Sequence, residues 1–100
     1  MATNELETNE AAESRAIITV LGSDRPGIVA SVAGALSERS ANILDISQTI
    51  LQGIFTMTML VDLGSASFSE LKACLDELSE NLGVQITMQR EEVFRYMYRL

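Results

Sequence analysis

Histidine is absent from this sequence, and Cys74 is its only cysteine. A zinc site of the usual nitrogen and sulfur ligands, a thiol–imidazole pair and a histidine acid–base are therefore excluded, and no internal disulfide can form. Cations are scarce as well: seven Lys and Arg stand against 14 Asp and Glu, for a net charge of −7. Nucleic-acid binders need a basic face and anionic membranes attract one, so neither partner fits. No run approaches the ~18 apolar residues of a membrane span, and the polar first residues do not make a signal peptide. The chain reads as cytoplasmic, with no metal, no cofactor and no convergent acid–base pair of the kind an enzyme needs.

What is present fits one globular domain: 100 residues, 47% hydrophobic and 21% charged. Residues 1–14 are Glu-, Asn-, Thr- and Ala-rich, with Leu6 the only large apolar side chain after Met1. Glu5, Glu7, Glu10 and Glu13 against Arg15 place −3 of the −7 there, leaving −4 for the rest. Such a stretch cannot bury enough surface to offset its ordering entropy, so 1–14 is expected to be a disordered acidic tail and 15–100 the domain.

The domain is organised around Leu21-Gly22-Ser23-Asp24-Arg25-Pro26-Gly27-Ile28-Val29. Ahead of it, Ala16-Ile17-Ile18-Thr19-Val20 is short, apolar and β-branched, which predicts a strand over about 16–22. Behind it, Val29, Val32, Ala33 and Leu36 recur at helical spacing, which predicts a helix over about 26–40. Asp24 is a candidate N-cap, Pro26 suits a first helical turn, and Gly27 leaves the backbone uncovered. Local chemistry leaves two readings open: a well-capped helix start, or N–H groups of Gly27 and Ile28 receiving a carboxylate or phosphate at the positive end of the dipole. A second stripe on the same helix, Ala30, Gly34, Ser37 and Ala41, permits close approach of the other helix or of a second subunit.

Asn42 to Leu51 alternates in part, with Leu44, Ile46 and Ile50 opposite Asp45, Ser47 and Thr49, and predicts a half-buried strand. Gln52-Gly53 is a hairpin turn, followed by a strand from Ile54 to Leu63 with Phe55, Met57, Met59 and Val61 on one side. Methionine there reads as core filler. Ser67-Phe68-Ser69-Glu70 is a capping box for a helix bearing Phe68, Leu71, Leu75, Leu78 and Leu82, with Gly83 at its end and Cys74 on its flank as a small hydrophobe. A last strand covers Val84 to Gln89. The remainder, 91–99, has acids first and arginines later, as a helix dipole favours. Its apolar side chains extend almost all round, so it needs cover from the open sheet face or from a second subunit.

The order β-α-β-β-α-β with a trailing helix predicts an α+β, ferredoxin-like sandwich with both main helices on one sheet face. Ile-Thr-Val-Leu-Gly-Ser-Asp-Arg-Pro-Gly-Ile-Val-Ala, then Asn42-Ile43-Leu44-Asp45-Ile46, Gln48-Thr49, Phe55-Thr56-Met57 and Val-Gln-Ile-Thr-Met-Gln-Arg-Glu-Glu, resembles the ACT domain over about residues 16–100. In that detail it is similar to the short stand-alone ACT proteins related to the glycine cleavage system transcriptional repressor. The resemblance implies a regulatory module that binds an amino acid, works as a homodimer and signals to another protein that the sequence does not identify. It implies a ligand site of Ser23, Asp24, Arg25, Pro26, Gly27 and Ile28, completed by Asn42 and Ile43 across the dimer interface. A competing reading is an interaction module with an empty pocket that works through its C-terminal helix.

Overall fold

The computed structural model describes residues 14–23 and 25–97. The expected tail, except Ser14, lies outside the described residues, as do Asp24, Tyr98 and Leu100. The elements are β1 (Arg15–Ser23), α1 (Ile28–Glu38), β2 (Asn42–Leu51), β3 (Ile54–Asp62), α2 (Phe68–Leu82), β4 (Gln85–Arg90) and α3 (Glu91–Met97). The sheet order is β2-β3-β1-β4, with every neighbouring pair antiparallel. This is the ferredoxin-like βαββαβ fold with an added C-terminal helix. Among the described residues no helix is long and apolar enough to cross a membrane.

Period-two alternation decides which side of the sheet the helices cover. Ala16, Ile18 and Val20 of β1, Phe55, Met57, Met59 and Val61 of β3, and Ile86 and Met88 of β4 form one core with Ile28, Val32, Leu36, Leu71 and Leu75. Met57 and Met59 are wholly buried, as filler should be. Helix α2 begins where its capping signal lies: Ser67 Oγ accepts from the Glu70 N–H, and Gly83 closes the helix at φ 69°. Cys74 is half-buried on its flank.

Helix α1 is shorter than its pattern suggests. Gly27 is its N-cap at φ 90°, so Pro26 precedes the helix, and no side chain caps it among the described residues. Ile28, Val32 and Leu36, four apart, carry the buried side, with Val29 and Ala33 half-buried beside them. Of the small stripe only Ala41 is buried, while Ala30 and Gly34 line an open groove with Cys74 and Leu78 of α2. Ala30, Gly34 and Ser37 are exposed, and no atom beyond the local backbone of α1 lies within 4 Å of where a Cβ on Gly34 would stand.

Strand β2 departs most from expectation. Ile46, Gln48 and Ile50 oppose Met59, Met57 and Phe55, which places them on the helix side. Helix α1 covers this edge strand only in part, leaving Ile46 42% and Ile50 57% exposed. Leu44 is the extra residue of a bulge between Ile43 and Asp45 and is also exposed.

Helix α3 leaves β4 with no intervening loop and lies against β1 and β4 on the face opposite the core. Glu91, 2% exposed, anchors it. Arg15 Nε and Nη2 donate to its two carboxylate oxygens at 2.8 and 2.9 Å, and Arg95 Nε and Nη2 donate to Oε2 at 3.1 and 2.9 Å. Burial alone would raise this carboxyl, but the hydrogen bonds and charges of Arg95 and Arg15 outweigh it and hold the group below its usual value. Val93, Tyr96 and Met97 remain exposed, so among the described residues the open sheet face covers the helix only in part.

Candidate functional site

The turn between β1 and α1 forms one wall of an open cleft of about 680 Å³. Arg25, Pro26, Gly27, Ile28, Val29 and Ala30 line that wall, and Gln48, Ile50 and Phe55 line the other. Local chemistry explains the first wall. Because φ is positive at Gly27, the chain swings into the helix with no Cβ over the turn, and the space there is open to 4 Å. The Gly27 carbonyl accepts from the Ser31 N–H at 2.9 Å, the first bond of the helix. The first N–H groups of α1 have no partner within the helix, and they carry the positive end of its dipole.

The second wall follows from strand register. Ile50 lies opposite Phe55 and Gln48 opposite Met57, so Gln48 and Ile50 share the helix side of the sheet. Helix α1 meets β2 only in part, and Gln48 and Ile50 stay exposed in the cleft beside the start of α1. The cleft thus combines an apolar floor, an amide that both donates and accepts, and a cationic rim at Arg25. The Arg25 guanidinium also reaches toward the end of α2: its Nη2 lies 3.5 Å from where a Cβ on Gly83 would stand.

Four of the eight residues expected from the sequence, Arg25, Pro26, Gly27 and Ile28, come together here. Ser23 is exposed at the end of β1, paired with Ile54, and does not line the cleft; Asp24 lies outside the described residues. Asn42 and Ile43 are not brought to the site within one chain. They line a separate recess of about 470 Å³ with Leu36 and Ser37, at the far end of α1. At ~1.5 Å per residue, the 11-residue helix holds the two ends roughly 16 Å apart. Sequence reasoning missed Gln48, Ile50 and Phe55 as lining residues. The signal was available, since Gln48 shares the alternation of Ile46 and Ile50, but a strand face expected to be packed drew no attention as a wall.

The sequence pattern of the ACT domain family matches residues 14–89, the whole βαββαβ unit up to α3. A UPF0237 protein of Methanocaldococcus jannaschii is 49% identical over 89 residues, covering 87% of this chain and 99% of its own length. An ACT domain protein from Streptococcus pneumoniae superposes with a TM-score of 0.71 at 41% identity, covering 84% of this chain and 97% of that one. A structure assigned to a glycine cleavage system transcriptional repressor gives 0.71 at 26% identity, covering 76% of this chain and 44% of that one.

Proposed function

We propose, from the premise that this chain belongs to the ACT domain family, that it is a homodimeric amino-acid sensor whose bound or empty state is read by another protein. ACT domains as a class are small-molecule-binding regulatory modules. The observation that carries the reading for this chain is the cleft at the start of α1, with Arg25 to Ile28 on one wall and Gln48, Ile50 and Phe55 on the other. Its chemistry suits an amino acid. The N–H groups at the start of α1 and the Arg25 guanidinium attract an α-carboxylate, Gln48 offers the ligand a donor and an acceptor, and Ile50 and Phe55 take an apolar side chain. Asn42 and Ile43 would join the site from a second subunit, since their own chain holds them at the other end of α1.

Edge strand β2 supports the dimer. Its unpaired backbone groups and exposed Ile46 and Ile50 form an edge that proteins ordinarily cover. The same chain, at net charge −7 and with one cysteine, suits a cytoplasmic protein that binds neither nucleic acid nor membrane. A second reading, an interaction module with no ligand, draws on a different observation: α3 exposes Val93, Tyr96 and Met97.

A thermal-shift screen against the twenty amino acids separates the two. A ligand present at ~100 times its dissociation constant adds ~2.7 kcal/mol of stability, a rise of more than about 8 °C in a domain of this size. The sensor reading predicts such a rise for at least one amino acid. No rise with any of them would leave the interaction module.

A further inference from the structure

The turn that leads into α1 and the corner between α2 and β4 touch at two points. At one, Gly22 passes Val84 so closely that a Cβ on it would stand 2.7 Å from Val84 Cγ1. At the other, Arg25 Nη2 lies 3.5 Å from where a Cβ on Gly83 would stand, so the glycine leaves room for the guanidinium beside the helix end. The corner is a unit closed on Ser79. Its carbonyl accepts from the Gly83 and Val84 N–H groups at 2.9 and 3.2 Å, and its Oγ donates to the Val84 carbonyl. Helix α2 has no basic residue in its last turn, so nothing in that turn answers the negative end of its dipole or its unpartnered last carbonyls. Arg25 brings a cation to that end. Arg15, Arg39, Lys72 and Arg95 stand in ion pairs and Arg90 lies over the Phe68 ring, whereas Arg25 makes no ion pair or hydrogen bond among the described residues.

From these contacts we infer that Arg25 links the cleft to the α2–β4 corner, its guanidinium being shared between the end of α2 and a carboxylate bound in the cleft. The inference rests on the reading of the cleft as an amino-acid site. One cation faces two acceptors. The end of α2 offers carbonyls that together carry about half an elementary charge. An α-carboxylate at the first N–H groups of α1 offers a full charge and two oxygens that match the guanidinium fork. The ligand therefore takes the guanidinium from the helix end, and the surroundings of Gly83 and Val84 change with it. Because Gly22 is packed hard against Val84, the turn has no room to shift as a body, and the response falls on the Arg25 side chain. The corner is exposed at Asn81, Gly83 and Gln85, so the change reaches the surface. The coupling is reciprocal: whatever holds Arg25 at the corner weakens the ligand by the same factor.

Titration of the ¹⁵N-labelled full chain with each of the twenty amino acids tests the link. The amino acid that shifts the Gly27 and Ile28 amides should also shift Gly83, Val84 and the Arg25 Nε–H, all saturating together. Two substitutions at the corner fix the sign. Gly83→Asp puts a carboxylate beside Arg25, holds it at the helix end and should weaken the ligand by about fivefold or more. Gly83→Lys repels the guanidinium into the cleft and should strengthen the ligand by a similar factor. Both place a side chain at a φ of 69°, so strain alone would move the two affinities in the same direction. Shifts at Gly27 and Ile28 that leave Gly83 and Val84 still, or two substitutions that act in one direction, would overturn the link while the sensor reading stands. An Arg25 Nε–H that does not respond to the ligand, with affinity still following the two charges, would show action through space and overturn it as well. No shift at Gly27 and Ile28 with any amino acid would overturn the sensor reading and the link with it.

Discussion

A Cβ on Gly22 would stand 2.7 Å from Val84 Cγ1 and 3.3 Å from Val84 Cα, so the end of β1 passes the start of β4 too closely for any side chain. Gly22→Ala should destabilise the fold by ~1–3 kcal/mol, the usual cost of overpacking. Urea unfolding would measure this, and because the clash is partly with the Val84 side chain, the double variant with Val84→Ala should cost less than the sum of the singles. Gly27 is constrained differently. Nothing crowds it, but its φ of 90° makes a β-branched replacement strained by ~1–3 kcal/mol. Gly27→Val therefore confounds binding with folding, although helix propensity alone would have called it mild. Gln48→Ala is the cleaner probe, exposed and outside the turn. It should leave stability within ~0.5 kcal/mol and weaken ligand binding by tenfold or more in calorimetry.

At the scale of elements, α3 depends on one carboxylate. A glutamate held below its usual value of 4.5 by Arg15 and Arg95 contributes stability above that value, and the contribution is lost as pH falls through the lower, folded value. Acidification through that lowered value should therefore loosen α3 before the core melts. Heteronuclear NOE values across residues 91–97 would fall if this is right. Glu91→Gln should loosen α3 at neutral pH, at a cost of ~1–3 kcal/mol, and abolish the acid dependence. The elements were largely legible in the sequence because local rules and core packing agree: alternation placed β1, β3 and β4, and Ser67 and Gly83 bracketed α2. Where they were not legible, tertiary placement prevailed. The pattern at Ile46 and Ile50 marks a face but not whether a helix reaches it, and the helical spacing after Pro26 does not reveal that Gly27 turns at positive φ. Half of the candidate site was readable for the same reason. The β1–α1 turn is contiguous in sequence, whereas the Gln48–Ile50–Phe55 wall exists only through the pairing of β2 with β3.

The whole molecule is a small βαββαβ body whose described residues leave open the cleft at the start of α1, the β2 edge and the outward side of α3. Deleting residues 93–100 removes side chains that are mostly exposed in the described part, so its effect should fall on assembly more than on melting. The truncated protein should melt within several degrees of the full chain. A collapse of its melting transition would show that α3 supports the core itself. The central claim, that the cleft binds an amino acid, is tested most directly by titrating ¹⁵N-labelled protein with the amino acids and mapping amide shifts. The account predicts that one of them moves Gly27, Ile28 and Val29 together with the Gln48 side-chain amide, with Asn42 and Ile43 shifting as well if a second subunit completes the site. Shifts confined to other surfaces, or no saturable shift with any amino acid, would contradict it.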